Sequence, residues 1–243
     1  MGNIILVGSV HNDLKGPERL ERVLNYYKPS IVGLEQTPQG ATRGWQVHLD
    51  LQKKLETIPF QKLYTPEQIA RLKLMFNSSY FEEWVPKVYK NGSPDIRLYC
   101  LDKELDEGVG NSMSAAEQTW LRQQLASGKT MADLLTPMDM DIKDFIDRGS
   151  VEEYQRDVDS RYDRVASNDF ISRYGSELFR ICVLERDERI AAQIRNIHIA
   201  NPEKVFLVTL GNSHIFGDYS RNTYDLVSDL SPTRMKLKEA DKL

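Results

Sequence analysis

The sequence predicts an α/β fold, in which a mainly parallel central sheet is flanked by helices and carries a large helical insertion. Three observations support this prediction. Short apolar runs rich in β-branched and aliphatic residues occur near both ends of the chain. A helical pattern separates the first two runs, as in a parallel pair of strands joined by a crossover helix. The long middle of the chain is mostly helical in its pattern.

The first forty residues are predicted to form a strand, a helix and a second strand. Residues 3–8, "NIILVG", are continuously apolar, which indicates a strand covered on both faces. Residues 16–29 place apolar side chains at helical spacing and end at Pro29. Residues 30–37, "SIVGLEQT", supply the second apolar run, so the segment forms one parallel unit.

Two further strands and several helices complete the predicted fold. The strands are residues 95–102, "DIRLYCLD", and 204–211, "KVFLVTLG". Between the second and third strands, about three helices are expected. The breaks between them are expected near Pro59, Pro66 and Gly92.

The middle of the chain is predicted to be a helical insertion into a single domain. Another helix begins at Ser114, where Glu117 completes a capping box. No repeat, low-complexity tract or flexible linker divides the sequence. We therefore expect one α/β domain over 1–243, with helical insertions at 41–94 and 104–183 that cover the edge of the sheet.

Composition narrows the classes of function. The net charge is −4, with 32 basic and 36 acidic residues, so the chain lacks the excess of positive charge that favours nucleic acid. No run approaches the ~20 apolar residues that a membrane helix needs, and the N-terminus lacks a signal peptide's pattern. Cys100 and Cys182 are predicted to be buried thiols outside any disulfide. A cytoplasmic protein without an integral membrane segment is expected.

The most informative pattern is a Gly-x-x-His motif that follows two of the predicted strands. It occurs as "GSVH" from Gly8 to His11 and as "GNSH" from Gly211 to His214. Glycine suits such a turn because it tolerates backbone angles that a β-carbon forbids. A single histidine at a strand end often has only a structural role, in which it forms a hydrogen bond with a neighbouring loop. Two copies at the same edge of a parallel sheet are expected to converge, because neighbouring strands lie ~4.8 Å apart.

Carboxylates follow the other two strands. Glu35 follows the second strand and Asp102 follows the third. A carboxylate at the end of a buried strand is costly unless it is paired, binds a metal or faces water, so an exposed loop glutamate stays an alternative. Imidazole nitrogens and carboxylate oxygens are usual ligands of Zn²⁺, Mn²⁺ and Co²⁺. The predicted metal ligands are His11, His214, Glu35 and Asp102.

A bound cation would lower the pKa of its water and polarise a carbonyl, giving a hydrolase without a serine or cysteine nucleophile. Two histidines and one of the carboxylates would hold the cation with a position open for water, and the other carboxylate would act as general base. The signatures of zincins, nucleotide-binding proteins and serine hydrolases are absent from the sequence.

A cation precedes the last strand. Arg186 lies in "ERDER", at the predicted start of a helix, where acidic residues meet the helix dipole and an arginine is less expected. Arg186 is therefore a candidate to hold Glu35, Asp102 or a substrate carboxylate through paired hydrogen bonds. A surface ion pair with Glu188 or Asp187 is the alternative. The remaining histidines, His48 and His198, are assigned structural roles.

These motifs resemble the TraB/PrgY/Tiki family, within the wider group of erythromycin-esterase-like and haem-binding ChaN-like proteins. The resembling segments are "GSVH", "VGLEQTP", "ERDERIAAQI" and "VTLGNSHIFG", and they lie roughly within residues 3–38, 96–103 and 184–217. The resemblance implies one site formed by two GxxH motifs, a glutamate and an arginine. Those residues correspond here to His11, His214, Glu35 and Arg186.

The resemblance also implies an activity. Tiki-like members are membrane-associated, metal-dependent proteases that favour Mn²⁺ or Co²⁺, and TraB and PrgY members are linked to the shutdown of peptide pheromones. This chain departs from that pattern in its second motif, where Ser213 precedes the histidine, and in lacking a membrane segment. The helical insertions resemble no family that we can name.

Three hypotheses follow from the sequence. The first is a metal-dependent hydrolase of peptide or amide bonds, with Glu35 and Arg186 as catalytic residues and a peptide or small molecule as substrate. The second is a non-catalytic protein that binds a peptide or haem in the same cleft. The third is an interaction protein that works through its helical insertion.

Overall fold

A computed structural model of the chain describes residues 3–57, 64–102, 145, 150–164 and 180–243. The helix predicted at Ser114 lies outside these residues. In the described part, five strands form one sheet, and all of them run parallel. The strands are β1 (Ile4–Ser9), β2 (Ile31–Leu34), β3 (Arg97–Cys100), β4 (Phe206–Gly211) and β5 (Thr233–Lys236).

The strand order is β3-β2-β4-β1-β5, which places β1 beside the central strand β4 although they are about two hundred residues apart in the sequence. The register pairs Ile4 with Phe206 and Ser9 with Gly211, so β1 and β4 end side by side. This confirms the predicted α/β class with a parallel sheet. It also places the two predicted histidine turns next to each other.

Helices connect and cover the strands. They are α1 (Gly16–Tyr27), α2 (Pro38–Leu55), α3 (Pro66–Ser78), α4 (Phe81–Gly92), α5 (Val151–Arg161), α6 (Glu185–Ala200), α7 (Ser213–Phe216) and α8 (Thr223–Leu226). Among the described residues, the helices α2, α3 and α4 lie between the second and third strands, where about three helices were expected, and the break expected near Pro59 lies outside these residues. The start of α2 precedes residue 41, because Thr37 caps its first turn by accepting a hydrogen bond from the Gly40 amide.

The first crossover illustrates how local sequence sets the helix ends. Pro17 stands in the first turn of α1, where its missing N–H costs nothing. The helix ends at Lys28, whose φ of 46° is left-handed and whose amide donates to the Leu24 carbonyl. Pro29 then prevents further helix. Leu20, which is fully buried, is one of the residues that pack this helix onto the sheet.

Both faces of the sheet are covered by helices. Alternate residues of β1 belong to different core clusters, with Ile5 and Val7 in one and Ile4 and Leu6 in the other. The first cluster includes side chains of α1 to α5, and the second includes the apolar face of α6. The continuous apolar runs of the central strands follow from this burial on two sides.

Three sequence expectations need correction or qualification. The strand β5 was missed because its sequence, "TRMK", lacks an apolar run. A π-helical turn, Arg180–Leu184, runs directly into α6, so "ERDER" does not stand at a free helix start. Cys100 forms no disulfide in the described part and is only partly buried, and the side chain of Cys182 lies outside the described residues.

Candidate active site

The candidate site lies at the carboxyl edge of the sheet, where four adjacent strands end. Glu35 follows β2, Asp102 follows β3, His11 follows β1, and His214 lies in the short helix after β4. The amide of Asn212 donates to the Ser9 carbonyl at 2.7 Å, which ties the two histidine turns together where they leave the sheet. The two GxxH turns therefore lie next to each other at this edge of the sheet.

The His214 imidazole lies between two carboxylates. Its Nδ1 is 2.8 Å from Asp187 Oδ1, and its Nε2 is 3.5 Å from Glu35 Oε1. The ring is almost enclosed, with 7% of the side chain exposed. Burial lowers the pKa of His214, but the charges of Glu35 and Asp187 outweigh burial and raise that pKa to about 10. His214 is therefore an imidazolium at neutral pH.

Asp187 was not identified as a site residue from the sequence. It lies in α6 next to Arg186 and is fully buried. Besides His214, it accepts hydrogen bonds from the Tyr219 hydroxyl at 2.8 Å and from both the amide and the hydroxyl of Thr223. The His214 ring is thereby fixed through Nδ1, and its Nε2 is directed at Glu35.

Glu35 is a buried carboxylate with two fixed oxygens. Arg186 Nη1 lies 2.8 Å from Oε1, and the Gly211 amide donates to Oε2 at 2.5 Å. Burial raises the pKa of Glu35, but the positive charges of His214 and Arg186 prevail and hold that pKa well below its usual range. The expectation of an exposed loop glutamate is wrong, because Glu35 is buried and paired.

Arg186 pairs with both Glu35 and Asp102, two of the three partners that the sequence suggested for it. Its Nε donates to Asp102 Oδ2 at 2.8 Å, and its Nη2 donates to the backbone carbonyl of Glu35 at 3.3 Å. Arg189, one helical turn further on, donates through Nε to Asp102 Oδ1 at 3.2 Å. The alternative surface pairs are not formed: Glu188 pairs with Arg221 instead.

The His11 imidazole has a more open environment. Its side chain is 66% exposed, and its Nδ1 lies 3.0 Å from Glu82 Oε1. The same oxygen accepts a hydrogen bond from the buried Ser9 hydroxyl at 2.9 Å. The charge of Glu82 and its hydrogen bond raise the pKa of His11 to about 9. His11 is therefore also protonated at neutral pH, and its Nε2 stays available to a bound molecule.

Two adjacent glutamates at the start of α4 join the site and were missed from the sequence. Glu82 holds His11, and Glu83 is buried with no hydrogen-bond partner for its Oε2 among the described residues. Burial and the neighbouring Glu82 charge raise the pKa of Glu83 to about 8, so this carboxyl is neutral at pH 7. The available signal was the pair of acids inside the apolar stretch "YFEEWV", since carboxylates in such a stretch need partners.

The glycines of the two motifs provide room rather than unusual backbone angles. Neither Gly8 nor Gly211 has a positive φ, which corrects the sequence argument. A β-carbon on Gly8 would lie 2.8 Å from Asn212 Oδ1 and 3.2 Å from the Phe216 ring. One on Gly211 would lie 3.4 Å from Glu35 Oε2 and 3.5 Å from the His214 ring. The first glycine permits close packing of the turns, and the second lets Glu35 approach the backbone.

The predicted metal ligands are placed near one edge but are committed to other partners. Both oxygens of Asp102 accept from arginines, and Glu35 is engaged by Arg186 and by the Gly211 amide. Within the described ranges, no group of three or more His, Cys, Asp or Glu side chains could hold a metal ion. The described residues, as they are paired here, do not fit the predicted metal centre.

The other two histidines fit structural roles. His48 packs between the rings of Trp45 and Trp84, with ring centroids 5.9 and 4.7 Å away. Burial lowers the pKa of His48, so it is neutral in this aromatic stack. His198 lies in the last turn of α6, at the opposite end of that helix from Arg186.

Comparisons with known proteins add no family. No family model, curated protein or solved structure matches the chain. The resemblance to the TraB/PrgY/Tiki family therefore stays a prediction that rests on the motifs alone. In the part of the chain that the structure describes, no helix combines the length and apolar character needed to cross a bilayer.

Proposed function

We propose that the protein is a hydrolase of peptide or amide bonds, with its active site at His11, Glu35, Arg186 and His214. The observation that carries the proposal is the buried chain from Asp187 through His214 to Glu35, with Arg186 on the same Glu35 oxygen. Perturbed pKa values concentrated at the edge of a parallel sheet are typical of catalytic sites.

The general base in this proposal is Glu35. At rest it is a weak base, because Arg186 and His214 hold its pKa low. A substrate carbonyl oxygen that takes Arg186 as its partner removes one hydrogen bond from Glu35, which raises the carboxylate's pKa and strengthens it as a base. Glu35 then accepts a proton from water while the water oxygen bonds to the carbonyl carbon.

Two cations assist the same step. Arg186 stabilises the negative charge that develops on the carbonyl oxygen, since a guanidinium in a water-poor site acts strongly on such charge. Asp187 holds His214, and His214 in turn keeps the Glu35 carboxylate in place through Nε2. A positioned carboxylate avoids part of the orientational cost of the reaction.

The general acid in this proposal is His11. It is protonated at neutral pH and exposed, and Glu82 orients the ring through Nδ1. When the carbon–nitrogen bond breaks, Nε2 of His11 gives its proton to the leaving amine. Glu35 afterwards releases the proton from water to solvent, and His11 takes one up, so the site returns to its starting state.

A peptide library with fluorescent and quenching ends tests the proposal. We expect wild-type protein to cleave members of the library, and Glu35→Gln to reduce kcat/KM by at least about 100-fold, the range for loss of a general base. Glu203→Gln is a matched control, because Glu203 is exposed at the opposite edge of the sheet. Failure of wild-type protein to cleave any member, with or without added metal, would contradict the proposal.

Metal removal distinguishes metal-dependent hydrolysis from acid–base catalysis by Glu35 and His11 alone. The same assay is run after chelation and dialysis, and again with Mn²⁺, Co²⁺ or Zn²⁺ added. Activity that survives chelation supports acid–base catalysis by the protein alone. Activity that returns only with metal supports the role implied by the resemblance, and requires Glu35 or Asp102 to leave its arginine partners.

A further inference from the structure

Tyr162 contacts both histidine turns from the end of α5. It is fully buried. Its hydroxyl accepts a hydrogen bond from the Val10 amide at 3.3 Å, and its backbone carbonyl accepts one from Asn212 Nδ2 at 3.2 Å. Val10 directly precedes His11, and Asn212 lies two residues before His214. One residue of the helical insertion therefore links the two GxxH turns.

The orientation of the Tyr162 hydroxyl is fixed by a buried ion pair. It donates to Asp13 Oδ2 at 2.8 Å, so its lone pairs face the Val10 amide. Asp13 is fully buried and is paired with Arg19, whose Nη1 lies 2.8 Å from the same oxygen. Burial and the nearby Asp13 charge raise the pKa of Tyr162, which keeps the hydroxyl a neutral donor.

The Arg19 network anchors Tyr162 to three parts of the chain. Arg19 in α1 also pairs with Asp159 in α5 at 2.8 Å and with Asp241 near the C-terminus at 2.6 Å. Gln155 Nε2 adds hydrogen bonds to Asp13 at 2.8 Å and to Asp159 at 3.0 Å. Because Arg19 and Asp13 are buried and Arg19 also pairs with Asp159, this network holds α5 against the segment that follows His11.

We propose that Tyr162 is a positioning residue that sets the placement of His11 relative to His214. Pairing of β1 with β4 fixes the turns only as far as Ser9 and Gly211. Beyond that point each turn leaves the sheet, and Tyr162 bonds to both. The inference about catalysis rests on the proposed function. The inference about placement does not.

Tyr162→Phe isolates the hydroxyl's role from that of the ring. Phenylalanine keeps the buried ring, and Arg19 still neutralises Asp13. The Val10 amide loses its partner, so the first turn loses one of the hydrogen bonds that hold it. Asn212→Ala removes the link to the second turn instead. Tyr89→Phe is the matched control, because it removes a hydroxyl that donates to the Leu24 carbonyl at 3.1 Å, away from both turns.

The placement is measured by amide chemical shifts in two-dimensional NMR spectra, which need no activity. We expect Tyr162→Phe to shift the amides of Val10 and His11, and Asn212→Ala to shift those of residues 212–214. Tyr89→Phe is expected to leave both turns unshifted. Unchanged Val10 and His11 amides in Tyr162→Phe would overturn the proposal, whatever the activity.

Kinetics then decide whether this placement serves catalysis. We expect Tyr162→Phe to lower kcat by about 10-fold to 100-fold with little change in KM, the effect expected of small displacements of catalytic groups. A kcat no lower than that of Tyr89→Phe, measured well below both melting temperatures, would overturn the catalytic part. If wild-type protein cleaves nothing, the proposed function fails, while the amide shifts still decide the placement.

Discussion

The two Gly-x-x-His turns share a sequence pattern and a sheet edge but have different environments. The side chain of His11 is 66% exposed and touches one carboxylate, whereas that of His214 is 7% exposed and lies between two. Their strands explain part of the difference. β4 lies at the centre of the sheet, and α6 supplies Asp187 beside it. β1 lies one strand further out, next to the short edge strand β5.

The motif therefore brings two imidazoles to the site, but it does not determine the burial or the hydrogen-bond partner of either ring. Those roles come from carboxylates outside the motif, Glu82 for His11 and Asp187 for His214. A buried imidazolium between carboxylates suits a fixed electrostatic partner, and an exposed one suits proton exchange with a bound molecule. The different roles of the two histidines can be tested by changing each carboxylate and each histidine separately.

The largest difference is expected between the two carboxylates. Asp187→Ala removes the buried acceptor of His214 Nδ1, of the Tyr219 hydroxyl and of Thr223, so we expect a loss of about 3–5 kcal/mol in the free energy of unfolding. Glu82→Ala should cost about 1 kcal/mol, because His11 reaches water and Ser9 keeps its bond to the Leu210 carbonyl.

Urea unfolding at pH 7, followed by tryptophan fluorescence, measures both losses. Asp187→Asn is the matched variant, since it keeps an acceptor oxygen but removes the charge, and an intermediate loss is expected. Equal losses for Asp187→Ala and Glu82→Ala would show that the two turns are energetically alike, contrary to the comparison.

A smaller difference is expected between the two glycines. Gly8→Ala places a β-carbon 2.8 Å from Asn212 Oδ1, and this turn must shift to accept it, so a loss of about 1–3 kcal/mol is expected. Gly211→Ala meets Glu35 Oε2 at 3.4 Å, which needs little adjustment and should cost less than about 1 kcal/mol. Thermal melting of both variants under one buffer condition gives the order, and the reverse order would contradict this account.

Much of the fold could be predicted from the sequence because local patterns determine it. Four of the five described strands were predicted from apolar runs, and the parallel crossover placed their carboxyl ends together. Residues at those ends, Glu35, Asp102 and the two motif histidines, were therefore found. The missed strand, β5, has a single apolar residue, Met235, and its partner β1 lies more than two hundred positions earlier.

The rest of the site depends on contacts that no local pattern encodes. Glu82 reaches Ser9 across 73 positions, and Tyr162 reaches Val10 across 152. Glu82 lies in a helix and Tyr162 at the end of one, and the direction in which each side chain points is determined only when the helices pack against the sheet. Asp187 lies within the segment "ERDER", but the sequence alone does not distinguish it from a surface acid. Its pairing with His214 depends on which side of α6 faces the sheet.

The stability of the protein is also expected to depend on pH, through the buried groups His214 and Glu83. His214 has a pKa of about 10 in the folded state against an ordinary value of 6.5. Because the folded state holds this proton more tightly, its stabilisation is complete below pH 6.5 and is lost as pH rises towards 10. The buried acid Glu83, with a pKa of about 8 against 4.5, has the same sign in an earlier window, from pH 4.5 to 8.

The free energy of unfolding should therefore fall by up to about 1.4 kcal/mol per pH unit for each group within its window. We expect Glu83→Gln to flatten the fall between pH 4.5 and 8, and His214→Gln to flatten it between pH 8 and 10. His11→Gln should change the alkaline slope less than His214→Gln does, although the pKa of His11 is also raised, because solvent screens the exposed pair with Glu82. Urea unfolding of wild-type protein and the three variants, measured at intervals of half a pH unit, gives the slope of stability against pH for each. If the alkaline slope vanished in His11→Gln and persisted in His214→Gln, the buried and exposed roles assigned to the two histidines would have to be exchanged.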